Sequence, residues 1–181
     1  MSAEQTPRAM RFNIVLIGCR NAGKSSLINA LTNQEVAIVS SEAGTTTDVV
    51  AKPYELLPLG PVTFFDTAGL DDTSSLGDAR IKATKKALYK ADVALLVIGE
   101  AGISEFDKEI IDNLTKLHIP FVVALTKADK LNKTERMNQL ESICGIVAKY
   151  GNIPVVPFSA TKGDGTEELR GLIEKYVAAK E

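Results

Sequence analysis

Apolar and polar positions follow two different periods along this chain, and the change of period predicts strands and helices in turn. Short, branched, apolar runs typical of buried strands occupy 12–17, 49–56, 61–65, 92–98, 120–125 and 154–158. Apolar residues at helical spacing predict helices at 24–32, 79–90, 105–117, 134–149 and 166–179. Strands that alternate with helices in this way are typical of an α/β fold with a mostly parallel sheet.

The link between the second and third strands sets the direction of one of them. Only residues 57–60 separate these two runs, and so short a link permits only an antiparallel hairpin. We therefore expect a six-stranded sheet that is parallel except for one strand, with about five helices on its two faces. Ser104 and Asp107 have the spacing of a capping box, and His118 is expected to end that helix ahead of Pro120.

Length and charge narrow the class of protein. With 181 residues and 45% hydrophobic content, the chain is sized for one domain, which we expect at 11–181 behind a loose leader at 1–10. The formal net charge is -2, so the chain has no excess of positive charge to attract nucleic acid or an anionic membrane surface. No apolar run is long enough to span a bilayer. Cys19 and Cys144 make no disulfide framework. We expect a cytoplasmic protein that contacts neither nucleic acid nor membrane directly.

The segment from Gly18 to Ser25 matches the pattern GxxxxGK followed by Ser or Thr, between a strand and a helix. Backbone N–H groups of such a glycine-rich loop surround phosphate oxygens, and the helix adds its positive N-terminal end. Lys24 is expected to reach the β- and γ-phosphates, and the Ser25 hydroxyl to hold Mg²⁺. The loop residues expected to bind the nucleotide are Asn21, Ala22, Gly23, Lys24, Ser25 and Ser26.

Two further segments are candidates for the metal and the γ-phosphate. Asp66 ends a strand and opens the sequence DTAGL, which suits a carboxylate that holds Mg²⁺ through water, while the Gly69 N–H can meet the γ-phosphate. The polar loop at 40–48 contains Thr45 and Thr46, and Thr46 can place its hydroxyl on Mg²⁺ and its N–H on the γ-phosphate. Taken alone, each segment is also compatible with an ordinary polar turn.

Two loops after later strands are candidates for base recognition. In the sequence TKAD, the Asp129 carboxylate can accept two hydrogen bonds from guanine N1–H and its amino group, which adenine cannot supply. Thr126 begins that motif, and the aliphatic part of Lys127 is expected to lie on the purine face. Ser159, Ala160 and Thr161 form the second loop, which can supply a backbone N–H to the guanine carbonyl oxygen. The expected ligands are therefore GTP and GDP with Mg²⁺.

Together these motifs resemble those of the translation-factor-related P-loop GTPases of the TrmE and Era type. Residues 44–48 look like their GTTxD switch, and residues 66–70 look like their DTAGL. Within that group, residues 21–31, 36–40 and 58–62 resemble the HydF family of FeFe-hydrogenase maturation GTPases. The resemblance implies a Ras-like fold and slow hydrolysis of GTP to GDP and phosphate.

The resemblance also implies how the chain is used. It suggests a GTPase domain cut from a longer protein, without the iron–sulfur cluster that HydF proteins hold in a later domain. The implied partners are hydrogenase maturation proteins and other domains of the parent protein, and a nucleotide-dependent homodimer is a further expectation. Two alternatives stay open: a nucleotide-gated interaction module with negligible turnover, and a TrmE- or Era-type enzyme of tRNA modification or ribosome assembly.

Two residues depart from the general GTPase pattern. Thr126 stands where asparagine is usual, which we expect to weaken a supporting contact, and Leu70 stands where Ras-like proteins carry the glutamine that orients water.

In TrmE-like proteins an asparagine at the place of Asn21 helps to hold K⁺ beside the phosphates, which predicts stimulation by K⁺. Asp78 is the candidate to orient water. The expected catalytic set is thus Lys24, Thr46, Gly69 and Asp78, with Asp71 and Asp72 as rivals to Asp78.

Overall fold

The computed structural model describes residues 12–19, 22–32, 50–56, 59–67 and 85–180. Six strands and four helices have defined bounds, and residues 85–89 form a further helical stretch. The strands are β1 (Phe12–Gly18), β2 (Val50–Leu56), β3 (Gly60–Asp66), β4 (Val93–Ile98), β5 (Phe121–Leu125) and β6 (Val155–Pro157). The helices are α1 (Lys24–Thr32), α2 (Glu105–Lys116), α3 (Lys133–Val147) and α4 (Thr166–Lys180), with 3-10 turns at Ala128–Lys130 and Ala148–Tyr150.

The strands form one sheet in the order β2-β3-β1-β4-β5-β6. β2 pairs with β3 in antiparallel fashion, and every other pair is parallel. The predicted six-stranded mixed sheet is therefore confirmed, including the strand that was expected to be reversed. Pro53 lies in the middle of β2, which is an edge strand, where a residue without an N–H is tolerated.

Helices cover both faces of the sheet because alternate strand residues point to opposite sides. On one face, α1 and α4 pack through Leu27, Leu31 and Ile173 against strand residues such as Leu16 and Phe64. On the other face, the 85–89 stretch, α2 and α3 cover the opposite side of the same strands. The side chains of β4 and β5 are buried throughout, as expected of central parallel strands.

The helix ends follow the local signals. The capping box of α2 is present: the Asp107 N–H donates to the Ser104 hydroxyl, and the Ser104 N–H donates to the Asp107 carboxylate. His118 has a φ of 55° just after this helix, so it ends the helix in the left-handed region as predicted. Among the described residues, no helix is both long and apolar enough to cross a bilayer.

Candidate functional site

The phosphate loop joins β1 to α1 at the carboxyl edge of the sheet, and two glycines give it its path. A Cβ at Gly18 would lie 2.3 Å from the Val97 carbonyl oxygen, so no larger residue fits between β1 and β4. Gly23 has a φ of 97°, a conformation that other residues rarely adopt. α1 begins at the next residue, Lys24, so the first N–H groups of the helix have no acceptor within the helix itself.

Lys24 is held inside this loop, with only 5% of its surface exposed. Its Nζ donates to the Gly18 carbonyl at 2.5 Å and to the Cys19 carbonyl at 3.1 Å. The Ala22 N–H donates to the same Cys19 carbonyl at 3.1 Å. The ammonium is thus anchored on the loop backbone, where its charge can act on a bound anion. Ser25 and Ser26, in the first turn of α1, are exposed.

Asp66 lies at the end of β3, on the strand next to β1, where it is level with Leu16. Its residue surface is only 6% exposed. The neighbouring Thr67 donates from its hydroxyl to the Leu16 carbonyl at 2.7 Å, which fixes the end of β3 against β1. Burial and, secondarily, the negative charge of Asp66 raise the pKa of Tyr54 above its ordinary value. Asp66 therefore ends the strand that lies next to β1, and the phosphate loop follows β1.

The Ser25 hydroxyl and the Asp66 carboxylate are hard oxygen donors, the kind that Mg²⁺ prefers, and they follow adjacent strands. This donor chemistry fits a magnesium ion whose remaining ligands come from a triphosphate and water. Within the described ranges, no three His, Cys, Asp or Glu side chains form a group that could hold a metal ion by themselves.

Thr126 connects the base-recognition loop to the phosphate loop. Its hydroxyl donates to the Ala22 carbonyl, and the Ile98 carbonyl lies 3.2 Å from the same oxygen. Thr126 is buried, and a Cβ at Gly23 would lie 3.3 Å from its hydroxyl oxygen. Thr126 therefore supports the phosphate loop through Ala22, and that it does so more weakly than asparagine would stays a prediction.

Asp129 lies in the 3-10 turn after β5, and its carboxylate is oriented by the loop after β6. The Ser159 hydroxyl donates to Asp129 Oδ1 at 2.9 Å, and the Ser159 residue is fully buried. The Lys162 N–H donates back to the Ser159 hydroxyl at 3.2 Å. Ala128 and Phe158 also join the two loops through a backbone hydrogen bond of 3.2 Å. The two candidate base-recognition segments therefore form one connected unit.

The other members of these loops are placed as follows. Lys127 is partly exposed and has a φ of 56°, a left-handed conformation at the start of the 3-10 turn. Ala160 and Thr161 are exposed after β6. Several predicted residues lie outside the described residues, so their roles stay predictions; they are Asn21, Thr45, Thr46, Gly69, Leu70, Asp71, Asp72 and Asp78.

Two neighbours of the phosphate loop, Ser104 and Asp107, were not among the predicted site residues. Ser104 and Asp107 were predicted only as a helix cap, yet the Cys19 thiol of the phosphate loop lies 3.3 Å from the Ser104 hydroxyl. These residues are 85 positions apart, so no local pattern in the sequence signals the contact. The helix cap and the phosphate loop are therefore neighbours.

Comparison with known families gives two matches that each exceed half of the chain. Residues 13–127 match the family described as 50S ribosome-binding GTPase. Residues 77–179 match the GTP binding domain of elongation factor Tu. The first match includes both the phosphate loop and the start of the base-recognition motif.

Three curated relatives are similar over most of this chain. GTPase Der of Maridesulfovibrio salexigens is 33% identical over 97% of the chain, and the tRNA modification GTPase MnmE of Moorella thermoacetica is 36% identical over 91%. The chain spans only 40% and 34% of these two proteins. The probable GTP-binding protein EngB of Thermotoga maritima is 31% identical over 92% of the chain, which spans 87% of EngB.

A solved structure of Era in complex with MgGDPNP and a segment of 16S ribosomal RNA has the same fold. It superposes with a TM-score of 0.72 at 33% identity and covers 91% of this chain, which in turn spans 56% of that Era chain.

Proposed function

The chain belongs to the family described as 50S ribosome-binding GTPases, among P-loop GTPases of the MnmE, Era, EngB and Der type, and from that premise we propose a nucleotide-dependent switch that hydrolyses GTP. The observation that supports this most strongly is the joining of two subsites by Thr126. Its hydroxyl supports the phosphate loop, and three residues later Asp129 is oriented by Ser159. One nucleotide can therefore engage its phosphates and its base on a single connected framework.

In this proposal, the phosphate subsite holds the triphosphate and stabilises its charge. The Lys24 ammonium and the N–H groups of residues 21–26 bind the β- and γ-phosphates. Ser25 and Asp66 hold Mg²⁺, which supplies a positive charge to the phosphate oxygens when it is bound. Thr45, Thr46 and the Gly69 N–H respond to the γ-phosphate, so the segments that carry them distinguish GTP from GDP.

The reaction is attack of water on the γ-phosphorus, with cleavage of its bond to the β–γ bridging oxygen. GDP leaves with that oxygen, and the water proton is transferred to the phosphate product. The experiment is multiple-turnover phosphate release from GTP, with Lys24→Ala as the control that removes the ammonium. We expect slow turnover that depends on Lys24. Turnover no faster than the control would instead support the interaction module, which Leu70 favours because leucine cannot orient water by hydrogen bonding.

Leu70 occupies the position of the glutamine that orients water in Ras-like proteins, so we propose that a bound cation assists hydrolysis instead. Asn21 would hold K⁺, which would supply a positive charge against the negative charge that develops between the β- and γ-phosphates. Asp78 orients the attacking water, with Asp71 and Asp72 as the alternatives. Matched KCl and NaCl buffers test this directly: we expect faster phosphate release in KCl, and equal rates would refute the potassium site.

For the biological process, we propose maturation of an FeFe hydrogenase, on the resemblance of residues 21–31, 36–40 and 58–62 to the HydF family. The alternative is tRNA modification or ribosome assembly, which the similarity to the tRNA modification GTPase MnmE and to the RNA-bound Era structure favours. Binding of a 16S ribosomal RNA fragment, measured by fluorescence anisotropy with GDPNP and with GDP, separates the two. The hydrogenase proposal predicts no nucleotide-dependent binding, whereas saturable binding that requires GDPNP would contradict it.

A further inference from the structure

A chain of hydrogen bonds runs from the phosphate loop to the start of α2. The Cys19 thiol lies 3.3 Å from the Ser104 hydroxyl, and that hydroxyl donates to Asp107 Oδ2 at 2.8 Å. The Ser104 N–H donates to the same carboxylate oxygen at 2.8 Å. Asp107 is only 1% exposed, so bulk water cannot take over these contacts.

The number of protons on each group indicates which atom donates in each of these hydrogen bonds. A serine hydroxyl has one proton, and the Ser104 proton is directed at the Asp107 carboxylate. Of the two possible directions, donation from the Cys19 S–H to the Ser104 oxygen is the one that leaves the Ser104 proton for Asp107. The second carboxylate oxygen, Asp107 Oδ1, lies 4.0 Å from the same sulfur. The carboxylate of Asp107 is therefore the final acceptor that fixes the position of the thiol.

The backbone of Cys19 continues the connection towards the phosphates. Its carbonyl accepts from Lys24 Nζ at 3.1 Å and from the Ala22 N–H at 3.1 Å. Burial raises the pKa of Asp107, while its hydrogen bonds from Ser104 and the positive charge of Lys24 act in the opposite direction. The ammonium of the phosphate loop and the buried carboxylate thus act on each other electrostatically.

We propose that Asp107 is a positioning residue for the phosphate loop. Through Ser104 it holds Cys19, and the Cys19 carbonyl in turn keeps the Lys24 ammonium where phosphates bind. This inference rests on the proposed function, because it assigns Asp107 a part in nucleotide affinity. The helix cap of α2 then has two tasks: it caps the N-terminus of the helix, and it supports the phosphate loop.

The chain contains a matched control for the first task. α3 begins with a second capping box, in which the Asn132 N–H donates to Glu135 Oε2 at 2.9 Å and the Glu135 N–H donates to Asn132 Oδ1 at 2.8 Å. This second box is exposed and is formed at a different helix. Glu135→Gln therefore removes a capping charge as Asp107→Asn does, at a cap that is not bonded to Cys19.

The experiment compares these two variants with two readouts. The first is the rate of alkylation of Cys19 by iodoacetamide without nucleotide, divided by the rate at Cys144, which is exposed and serves as an internal reference. The second is the dissociation constant for GDP. We expect Asp107→Asn to raise the alkylation ratio about tenfold and to weaken GDP binding about tenfold, because it removes a charged hydrogen-bond acceptor. Glu135→Gln should leave both values unchanged.

Two results would overturn the proposal: Asp107→Asn leaves both readouts within twofold of wild type, or Glu135→Gln changes them as much. Cys19→Ala tests the same contact with the helix cap intact, and it should weaken GDP binding about threefold. Cys19→Ser, which keeps a donor, should restore affinity; wild-type affinity in Cys19→Ala would contradict the proposal. A wild-type chain that fails to bind GDP would refute the proposed function, while the alkylation ratio would still test Asp107.

Discussion

Replacing Ser159 with alanine removes the hydroxyl that holds the Asp129 carboxylate. In the structure this hydroxyl donates to Asp129 Oδ1 at 2.9 Å and is itself held by the Lys162 N–H at 3.2 Å. Ser159 is fully buried, and alanine fits the space that serine leaves. The substitution therefore acts on the orientation of the carboxylate that we propose selects guanine.

The expected magnitude follows from the charge of the acceptor and the exposure of Asp129. A hydrogen bond to a charged group contributes about 1.5–3 kcal/mol. Asp129 is partly exposed, so water replaces part of the lost contact and the lower figure applies. A loss of about 1.5 kcal/mol corresponds to about tenfold weaker binding of GDP.

The assay is titration of GDP into the wild type and Ser159→Ala, by calorimetry or with a fluorescent GDP analogue. Ser142→Ala is the matched control, because it removes an exposed serine hydroxyl from α3, outside the predicted site residues, and should leave the dissociation constant unchanged. A change of less than twofold in Ser159→Ala, or an equal loss in the control, would refute the role assigned to this hydrogen bond.

Three further substitutions test other parts of the framework. Arg170 donates from Nε and Nη2 to the Leu31 carbonyl at 3.1 and 2.7 Å, which places a cation at the end of α1, so Arg170→Met should lower the free energy of unfolding in urea by about 1.5 kcal/mol. An unchanged free energy would rule out this helix-end contact as a source of stability. Burial raises the pKa of Asp107 above its ordinary 3.8, so the folded state binds the carboxyl proton more tightly than the unfolded state does. The stability gained from this tighter binding is lost as pH rises through the pKa of the folded state. The unfolding free energy of wild type minus that of Asp107→Asn should therefore fall from about pH 4 to about pH 7, and a rise would contradict the shift. Gly18→Ala places a Cβ 2.3 Å from the Val97 carbonyl oxygen, so the calorimetric melting midpoint should drop by at least about 5 °C; an unaltered midpoint would mean that the strands are not so close.

The elements of the fold could be predicted because their signals are local. Apolar periodicity gave the six strands and the four helices with defined bounds to within about two residues, and the four-residue link gave the antiparallel pair. Of the helix predicted at 79–90, the described residues include the helical stretch 85–89. The capping box at Ser104 and Asp107 was also predicted from spacing alone. The equivalent box at Asn132 and Glu135 was missed, and α3 begins one residue earlier than predicted because Asn132 caps it.

The contacts that connect the site could not be predicted, because they join residues far apart in the sequence. Cys19 and Ser104 are 85 residues apart, and Arg170 and Leu31 are 139 apart. Such pairs depend on the strand order and on how each helix lies across the sheet. The contact of Thr126 could not be predicted for the same reason, since the Ala22 carbonyl that its hydroxyl contacts lies 104 residues away.

Recognition of guanine by Asp129 is the central claim, and one substitution tests it most directly. Guanine offers the Asp129 carboxylate two donors, whereas xanthine has a carbonyl in place of the amino group. The amide of Asp129→Asn can accept from xanthine N1–H and donate to that carbonyl. We predict that wild type prefers GDP over xanthosine diphosphate by about 100-fold or more and that Asp129→Asn reverses the preference. A wild type that binds both equally, or a variant that still prefers GDP, would contradict the assignment.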